Sequence, residues 1–404
     1  MERMKNYRNS IKNAAIGVLT LLTFLPGQLS AQSRIIEFES GSWEEVVQKA
    51  KKENKPIFVD AYAVWCGPCK WMAKNVFTND TVADFYNTNF VNVKMDMEKG
   101  EGIELAKKWK IQAYPTLLYF SPEGDMIHRI CGAYPANEFI TGGENALNPE
   151  KQFAQFVKKY ENGNREPEFL AQYVQLLAES CMGGKEETEV YFATQKDEEL
   201  ASERNWHLTL MLVDDMNSRV FKHLENNKKI FEEKYSKEAV AEKMEQVYTT
   251  ALMRPLYKKD AAAYEQTKQE LISRNNELAT KAVAASEMKN FEIRKEWDKY
   301  AEVAGKFVST YAMDDSQTLN SIAWTFYEQV KDPKQLKKAT AWAKKSVSLS
   351  ENPYNLDTYS HLLHATGNKK EAIVQQKRAI ELAKKMGDPM VSDLENSLKV
   401  FEGN

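Results

Sequence analysis

Apolar and polar positions follow two regimes along this chain. Up to about residue 160, short apolar runs alternate with helix-spaced patterns; beyond it, strand signals largely vanish. Ser42-Trp43-Glu44-Glu45 reads as a capping box, opening a helix through Lys52 with Trp43, Val46, Val47 and Ala50 at helical spacing. The apolar run Pro56 to Ala63 predicts a buried strand. A tight turn follows, then a helical pattern from Gly67 onward. Val82 to Tyr86 suggests a short helix, Phe90 to Met95 a strand and Gly102 to Trp109 a helix. Thr116 to Phe120 and Met126 to Ile130 read as an antiparallel pair around Pro122-Glu123-Gly124-Asp125. Phe139, then Phe153 to Tyr160, supply closing helical turns, with Thr141 to Asn145 read as an interrupting loop because of Gly142-Gly143. Alternating helices and strands followed by a hairpin predict a central mixed sheet flanked by helices, an α/β fold.

Glu161-Asn162-Gly163-Asn164 is a turn-rich boundary. Past it Lys, Glu, Ala and Leu dominate. Gly and Pro are sparse there and sit between segments, at Gly183-Gly184, Pro255, Pro333, Pro353 and Gly367, and residues 165–312 read as five or six antiparallel helices. Residues 313–390 contain a repeat. Ala339, Ser346, Val347 and Leu349 recur 33 positions later as Ala372, Ala379, Ile380 and Leu382. Small residues at Ala372 and Ala379 let helices approach closely, and Gly367 supports the turn between them. This pattern resembles tetratricopeptide repeats over 353–386 and more loosely over 318–351, where Pro333 marks an enlarged turn. The second half is thus expected to be all-α.

The N-terminus has its own pattern. Arg3, Lys5, Arg8 and Lys12 precede an apolar run of twelve, Ala14 to Leu25; Pro26-Gly27 breaks it, and Leu29-Ser30-Ala31 offers small residues for cleavage. This is the layout of a secretory signal over residues 1–31, too short for the roughly 20 residues that span a bilayer. Export to a periplasm is expected, an uncleaved anchor being the alternative.

Composition narrows the classes. With 404 residues, two or three domains are expected, and 43% apolar content is enough for real cores. Lys+Arg 55 against Asp+Glu 58 leaves −3, so no basic excess argues for nucleic acid. Four cysteines in such a length do not make a disulfide-stapled scaffold.

Two of those cysteines carry the chemistry. Cys66 falls at the predicted helix start, where free backbone N–H groups and the helix dipole favour negative charge. A cysteine there becomes thiolate more easily, and the thiolate is the nucleophile. Cys69, three residues on, is close enough to form a disulfide with Cys66; the spacing is that of a dithiol switch. A zinc site would need a second ligand pair, and Cys131 and Cys181 are not spaced as one. His361 and His364, three apart on one helix, lack a third ligand. No metal and no cofactor is expected.

Trp65-Cys66-Gly67-Pro68-Cys69-Lys70 resembles the thioredoxin family's signature in full; the resemblance covers roughly residues 35–160 and implies a thioredoxin-like domain over 32–160. Ser42 to Pro56 and Asn75 to Asp80 look most like the periplasmic domain of the membrane thiol–disulfide interchange protein. The resemblance implies a thioredoxin fold and a thiol–disulfide oxidoreductase. It places a buried carboxylate at Asp60, a cis-proline loop at Tyr114-Pro115-Thr116 and a rim glycine at Gly132. Lys94 resembles the lysine that faces the carboxylate, with Asn92 as the other alignment. Substrate contacts are implied for Trp65, Gly67, Pro68, Tyr114, Pro115 and Gly132. Val64 departs from the polar residue common at its place, leaving the surface beside Cys66 more apolar; Tyr62 keeps an aromatic.

The mechanism this implies starts with Cys66 attacking a partner disulfide through a mixed disulfide, which Cys69 then resolves. Asp60, desolvated in a strand core, is raised toward neutral pH and can take the proton of Cys69. Gly67-Pro68 resembles the reducing end of a family that spans about −270 to −120 mV. A reductase or isomerase is therefore expected, fed by a membrane thiol donor. Cys131 is expected as a buried free thiol near the redox face, with a third redox cysteine as the alternative, and Cys181 as buried core. Trp324, Tyr327, Trp342, Tyr354 and Tyr359 are expected mostly between stacked helices, which could also present a protein or peptide partner surface. A non-catalytic docking scaffold and an electron relay are the competing readings; an insulin-reduction assay and trapping with Cys69→Ser discriminate among them.

Overall fold

A computed structural model describes residues 34–403; the predicted leader, residues 1–31, lies outside the described residues. The chain divides into two compact units between Lys159 and Tyr160.

In the first unit, β1 (Ile57–Tyr62) runs between β2 (Val91–Asp96) and β3 (Thr116–Phe120), with β4 (Met126–Cys131) outside β3, giving the order β2-β1-β3-β4. β1 is parallel to β2 and antiparallel to β3; β3 and β4 form the antiparallel hairpin. Side chains of successive strand residues point to opposite faces. Ile57, Val59 and Ala61 therefore join one apolar layer with Val46, Ala50, Leu105 and Trp109, drawn from α1 (Trp43–Glu53) and the segment of α4 (Gly102–Lys108). Phe58 points the other way, into a layer with Met72, Val82, Tyr86, Tyr119 and Phe139. Those residues come from α2 (Gly67–Asn75), α3 (Asp80–Asn89), β3 and α5 (Ala136–Leu147). The capping box of α1 is present: the Glu45 N–H donates to Ser42 Oγ, and the Ser42 N–H to Glu45 Oε2.

The expected loop at Thr141–Asn145 is instead continuous helix inside α5. Packing explains it. A Cβ on Gly142 would stand 2.7 Å from Ile130 Cδ1, and one on Gly143 2.6 Å from Phe85 Cε1. The glycines let the helix lie close on β4 and α3, a tertiary demand that local sequence rules read as a break. A short 3₁₀ turn (Pro149–Lys151) and α6 (Phe153–Glu161) follow.

The second unit is all-helical among the described residues. Residues 165–312 hold nine α-helices rather than five or six. They are α7 (Pro167–Glu179), α8 (Lys185–Ala193), α9 (Glu203–Leu212), α10 (Arg219–Asn226), α11 (Lys228–Lys234), α12 (Lys237–Tyr257), α13 (Ala261–Ser273), α14 (Glu277–Ile293) and α15 (Trp297–Phe307). Several are short, and α10 and α11 are parted by Asn227 alone, so their apolar positions read as fewer, longer elements. Pro255 lies inside the last turn of α12, not between helices, and the helix ends two residues later at Tyr257.

The C-terminal stretch comprises α16 (Ser316–Gln329), α17 (Pro333–Leu349), α18 (Pro353–Ala365), α19 (Lys369–Met386) and α20 (Val391–Glu402), each packed on the next. Ala339, Ala372 and Ala379 are fully buried. The turn at Pro333 is not enlarged. Val330–Asp332 and Thr366–Asn368 are equally long, with Asp332 capping α17 and Pro333 as its first residue. Of the aromatic residues expected in this core, Tyr359 is buried, Trp324, Tyr327 and Trp342 are half-buried and Tyr354 is exposed. Cys181, expected in a core, sits just past α7 with φ +53, half-buried, and is not a free thiol. No helix among the described residues is long and apolar enough to cross a membrane.

Candidate active site

The site forms where β1 ends. Cys66 donates its N–H to the Ala63 carbonyl, closing the turn, and is the N-cap of α2. Pro68 occupies the first turn of that helix, where its missing N–H leaves no bond unmade. The Cys69 N–H donates to Cys66 Sγ at 3.1 Å. Cys66 and Cys69 are joined as a disulfide, with Cα atoms 5.3 Å apart. When the bond is reduced, a thiolate on Cys66 has a helix N-terminus beneath it and an N–H already aimed at it.

Cys66 itself is 2% exposed, beneath a rim of exposed Val64, Trp65, Gly67 and Pro68. Trp65 is 65% exposed; its Nε1–H donates to Glu98 Oε2 at 2.7 Å, and its ring meets that of Tyr114 edge-on at 5.8 Å. Tyr62 and Tyr114 pack against the cluster formed by Ala63, Cys66 and Cys69. The Tyr114–Pro115 bond is cis, and Pro115 is buried. Gly132, at φ +110, donates its N–H to the Pro115 carbonyl at 2.8 Å. Cys131, just before it, is half-buried at the end of β4 and is not a free thiol, contrary to expectation.

Asp60 lies on the same side of β1 as Phe58, pairs in register with Lys94 on β2 and Leu117 on β3, and is 1% exposed. Burial pushes its carboxyl up to about 6, against the pull of the nearby Lys94 ammonium. Lys94 Nζ stands 3.4 Å from Asp60 Oδ2, and neither Asp60 oxygen accepts a well-formed hydrogen bond. Asn92, the other alignment, pairs with Phe58 and donates to Asn87 Oδ1 instead. A carboxyl raised in this way can receive a proton near neutral pH.

Glu98 escaped the sequence reading, as did Phe38 and Phe77, which stand over the Lys94 head. All three reach the site through tertiary placement, and no local pattern marks them. Trp71, another exposed aromatic, is on α2. Among the described residues no group of three or more His, Cys, Asp or Glu is placed to hold a metal ion.

A family model for a thioredoxin-like domain matches residues 43–146. The chloroplastic Thioredoxin Y of Oryza sativa subsp. japonica is 37% identical over 110 residues, 27% of this chain and 60% of that protein. The chain thus spans less than two thirds of this relative's length. Thioredoxin H1 of Arabidopsis thaliana is 35% identical over 92 residues, 23% of this chain and 75% of that protein. The solution structure of a candidate disulphide-isomerase from Bacteroides thetaiotaomicron is 44% identical, covering 29% of this chain and 97% of that one, with TM-score 0.28. With three quarters of Thioredoxin H1 covered at this identity, and the thioredoxin-like model matching residues 43–146, the chain belongs to the thioredoxin family.

Proposed function

We propose that this chain is an exported thiol–disulfide oxidoreductase that reduces or rearranges disulfides in other proteins, with its helical unit selecting partners. The observation that carries the reading is the Cys69 N–H directed at Cys66 Sγ at a helix start, in a chain whose adjoining strand carries the buried carboxyl of Asp60. In the dithiol form, the Cys66 thiolate attacks one sulfur of a partner disulfide. The partner's other sulfur leaves as thiolate and takes a proton from solvent. Cys69 then passes its proton to Asp60 and attacks Cys66 Sγ, expelling the partner's second thiolate. Two electrons move from the dithiol to the partner, and the chain is left as the disulfide seen here. A thiol donor at the membrane returns it to the dithiol.

Insulin reduction by dithiothreitol tests the chemistry. The wild type accelerates it and Cys66→Ser does not; a wild type without effect overturns the reading. Export is tested by N-terminal sequencing of the secreted fraction, which should begin near Gln32.

A further inference from the structure

Lys94 is the cation beside Asp60, and its ammonium sits at the end of a flexible four-carbon stem. It is 28% exposed, so water competes for it. The 3.4 Å approach to Asp60 Oδ2 lacks the alignment of a hydrogen bond and does not by itself fix the head in place. Three rings do surround it. Lys94 Nζ is 4.8 Å from the centroid of Tyr62, 5.7 Å from that of Phe77 and 5.9 Å from that of Phe38. All three distances are within the range at which a ring face attracts a cation.

The rings are themselves anchored. Phe38 meets Phe77 edge-on at 5.5 Å. The segment carrying Phe38 is strapped at both ends, with the Ile36 N–H donating to the Phe77 carbonyl and the Glu39 N–H to the Asn92 carbonyl. Tyr62, two residues past Asp60 on β1, packs against the Cys66–Cys69 cluster. It therefore lies between the cluster that holds the dithiol and the Lys94 head.

We propose that Tyr62, Phe77 and Phe38 form an aromatic sleeve that fixes Lys94 against Asp60, with Tyr62 as the principal positioning residue. This rests on the reading of Asp60 as the proton acceptor for Cys69. The titratable and charged groups acting on the assembly are Asp60 and the Tyr62 hydroxyl on β1 and Asp96 two residues along β2 from Lys94, while Cys66 and Cys69 are tied up as the disulfide. Asp96 and Asp60 both push the Tyr62 hydroxyl upward, secondary to its burial, so that hydroxyl stays neutral while Asp60 titrates.

The test is a ¹³C-carboxyl NMR titration of Asp60 in the oxidised full chain. Tyr62→Leu, which removes the ring face, raises the Asp60 midpoint by about half a pH unit. Phe77→Leu moves it in the same direction. Tyr62→Phe, which keeps the ring, leaves it in place. Lys94→Met raises the midpoint by itself, and adding Tyr62→Leu to it produces no further rise. An unmoved midpoint in both leucine variants overturns the proposal, as does an equal rise in the Lys94→Met background. Should Tyr62→Leu fail to fold, Phe77→Leu decides the matter alone. Because the titration reads no turnover, a chain inert toward insulin that shows this pattern keeps the sleeve and loses the oxidoreductase reading; the opposite pair of results loses the sleeve alone.

Discussion

The Gly132 N–H donates to the Pro115 carbonyl across 2.8 Å, binding the chain just past β4 to the loop that faces the disulfide. Gly132 holds φ +110, a region that a side chain disfavours. Gly132→Ala should lower unfolding stability by about 1–2 kcal/mol. It should also raise KM for a protein disulfide more than it lowers kcat, because the loop rather than the sulfur is displaced. Urea denaturation and insulin-reduction kinetics on the same preparation check both parts.

Asp60 gives stability an unusual pH slope. Its folded carboxyl is at about 6, above its ordinary 3.8, so between those values the folded chain holds a proton that the unfolded chain has lost. Stability therefore falls as pH rises through this window. His128, pushed down to about 4 by burial, contributes the opposite slope over nearly the same range. The measurement must therefore be a difference between wild type and Asp60→Asn. Relative to wild type, the variant should gain on the order of 2 kcal/mol between pH 4 and pH 7.5. The loss of Lys94's partner adds an offset that grows little across this range. A flat difference in urea midpoints would count against an ionisable, buried Asp60.

The indole of Trp65 is exposed, yet its orientation is set by the bond to Glu98. Trp65→Phe keeps a ring and deletes the donor. It should raise KM for a protein substrate roughly threefold with kcat little changed. Glu98→Gln keeps an acceptor and should cost less. Steady-state kinetics of both variants separate orientation from simple apolar contact.

Gly142 and Gly143 carry a prediction opposite to that for an interrupting loop. Alanine would favour helix by about 1 kcal/mol at either place. The 2.6 Å approach to Phe85 Cε1 at Gly143 means that overpacking outweighs that gain. Gly143→Ala should lose about 1 kcal/mol net, and the double alanine variant more. Thermal unfolding followed by circular dichroism reads the sign directly.

The sequence disclosed the centre of the molecule better than its periphery, for physical reasons. β1 is recognisable because both its faces are buried, leaving a nearly unbroken apolar run whose one charge, Asp60, stands out. Cys66 and Cys69 are legible because strand, turn and helix start are local features. The glycines of α5 misled because a glycine allows a turn and a close approach equally well, and only Phe85 and Ile130 decide which. Pro255 misled in the same manner, since a proline in the last turn of a helix and one just beyond it look alike in sequence. Phe38, Phe77 and Glu98 come from segments with no periodic relation to Lys94 or Trp65, so the rings and the carboxylate were beyond reach until the strands were paired.

One consequence follows from β1 having a neighbour on each side while it carries Asp60, Tyr62 and the turn to Cys66. Cys66 and Asp60, the nucleophile and the proton acceptor of the proposed reaction, ride on one continuous length of backbone, in the part of the sheet slowest to open. Breathing at the edges leaves their spacing alone. The centre is either whole or wholly lost, and damage elsewhere in the domain should show as fewer competent molecules rather than as a population of weakened ones.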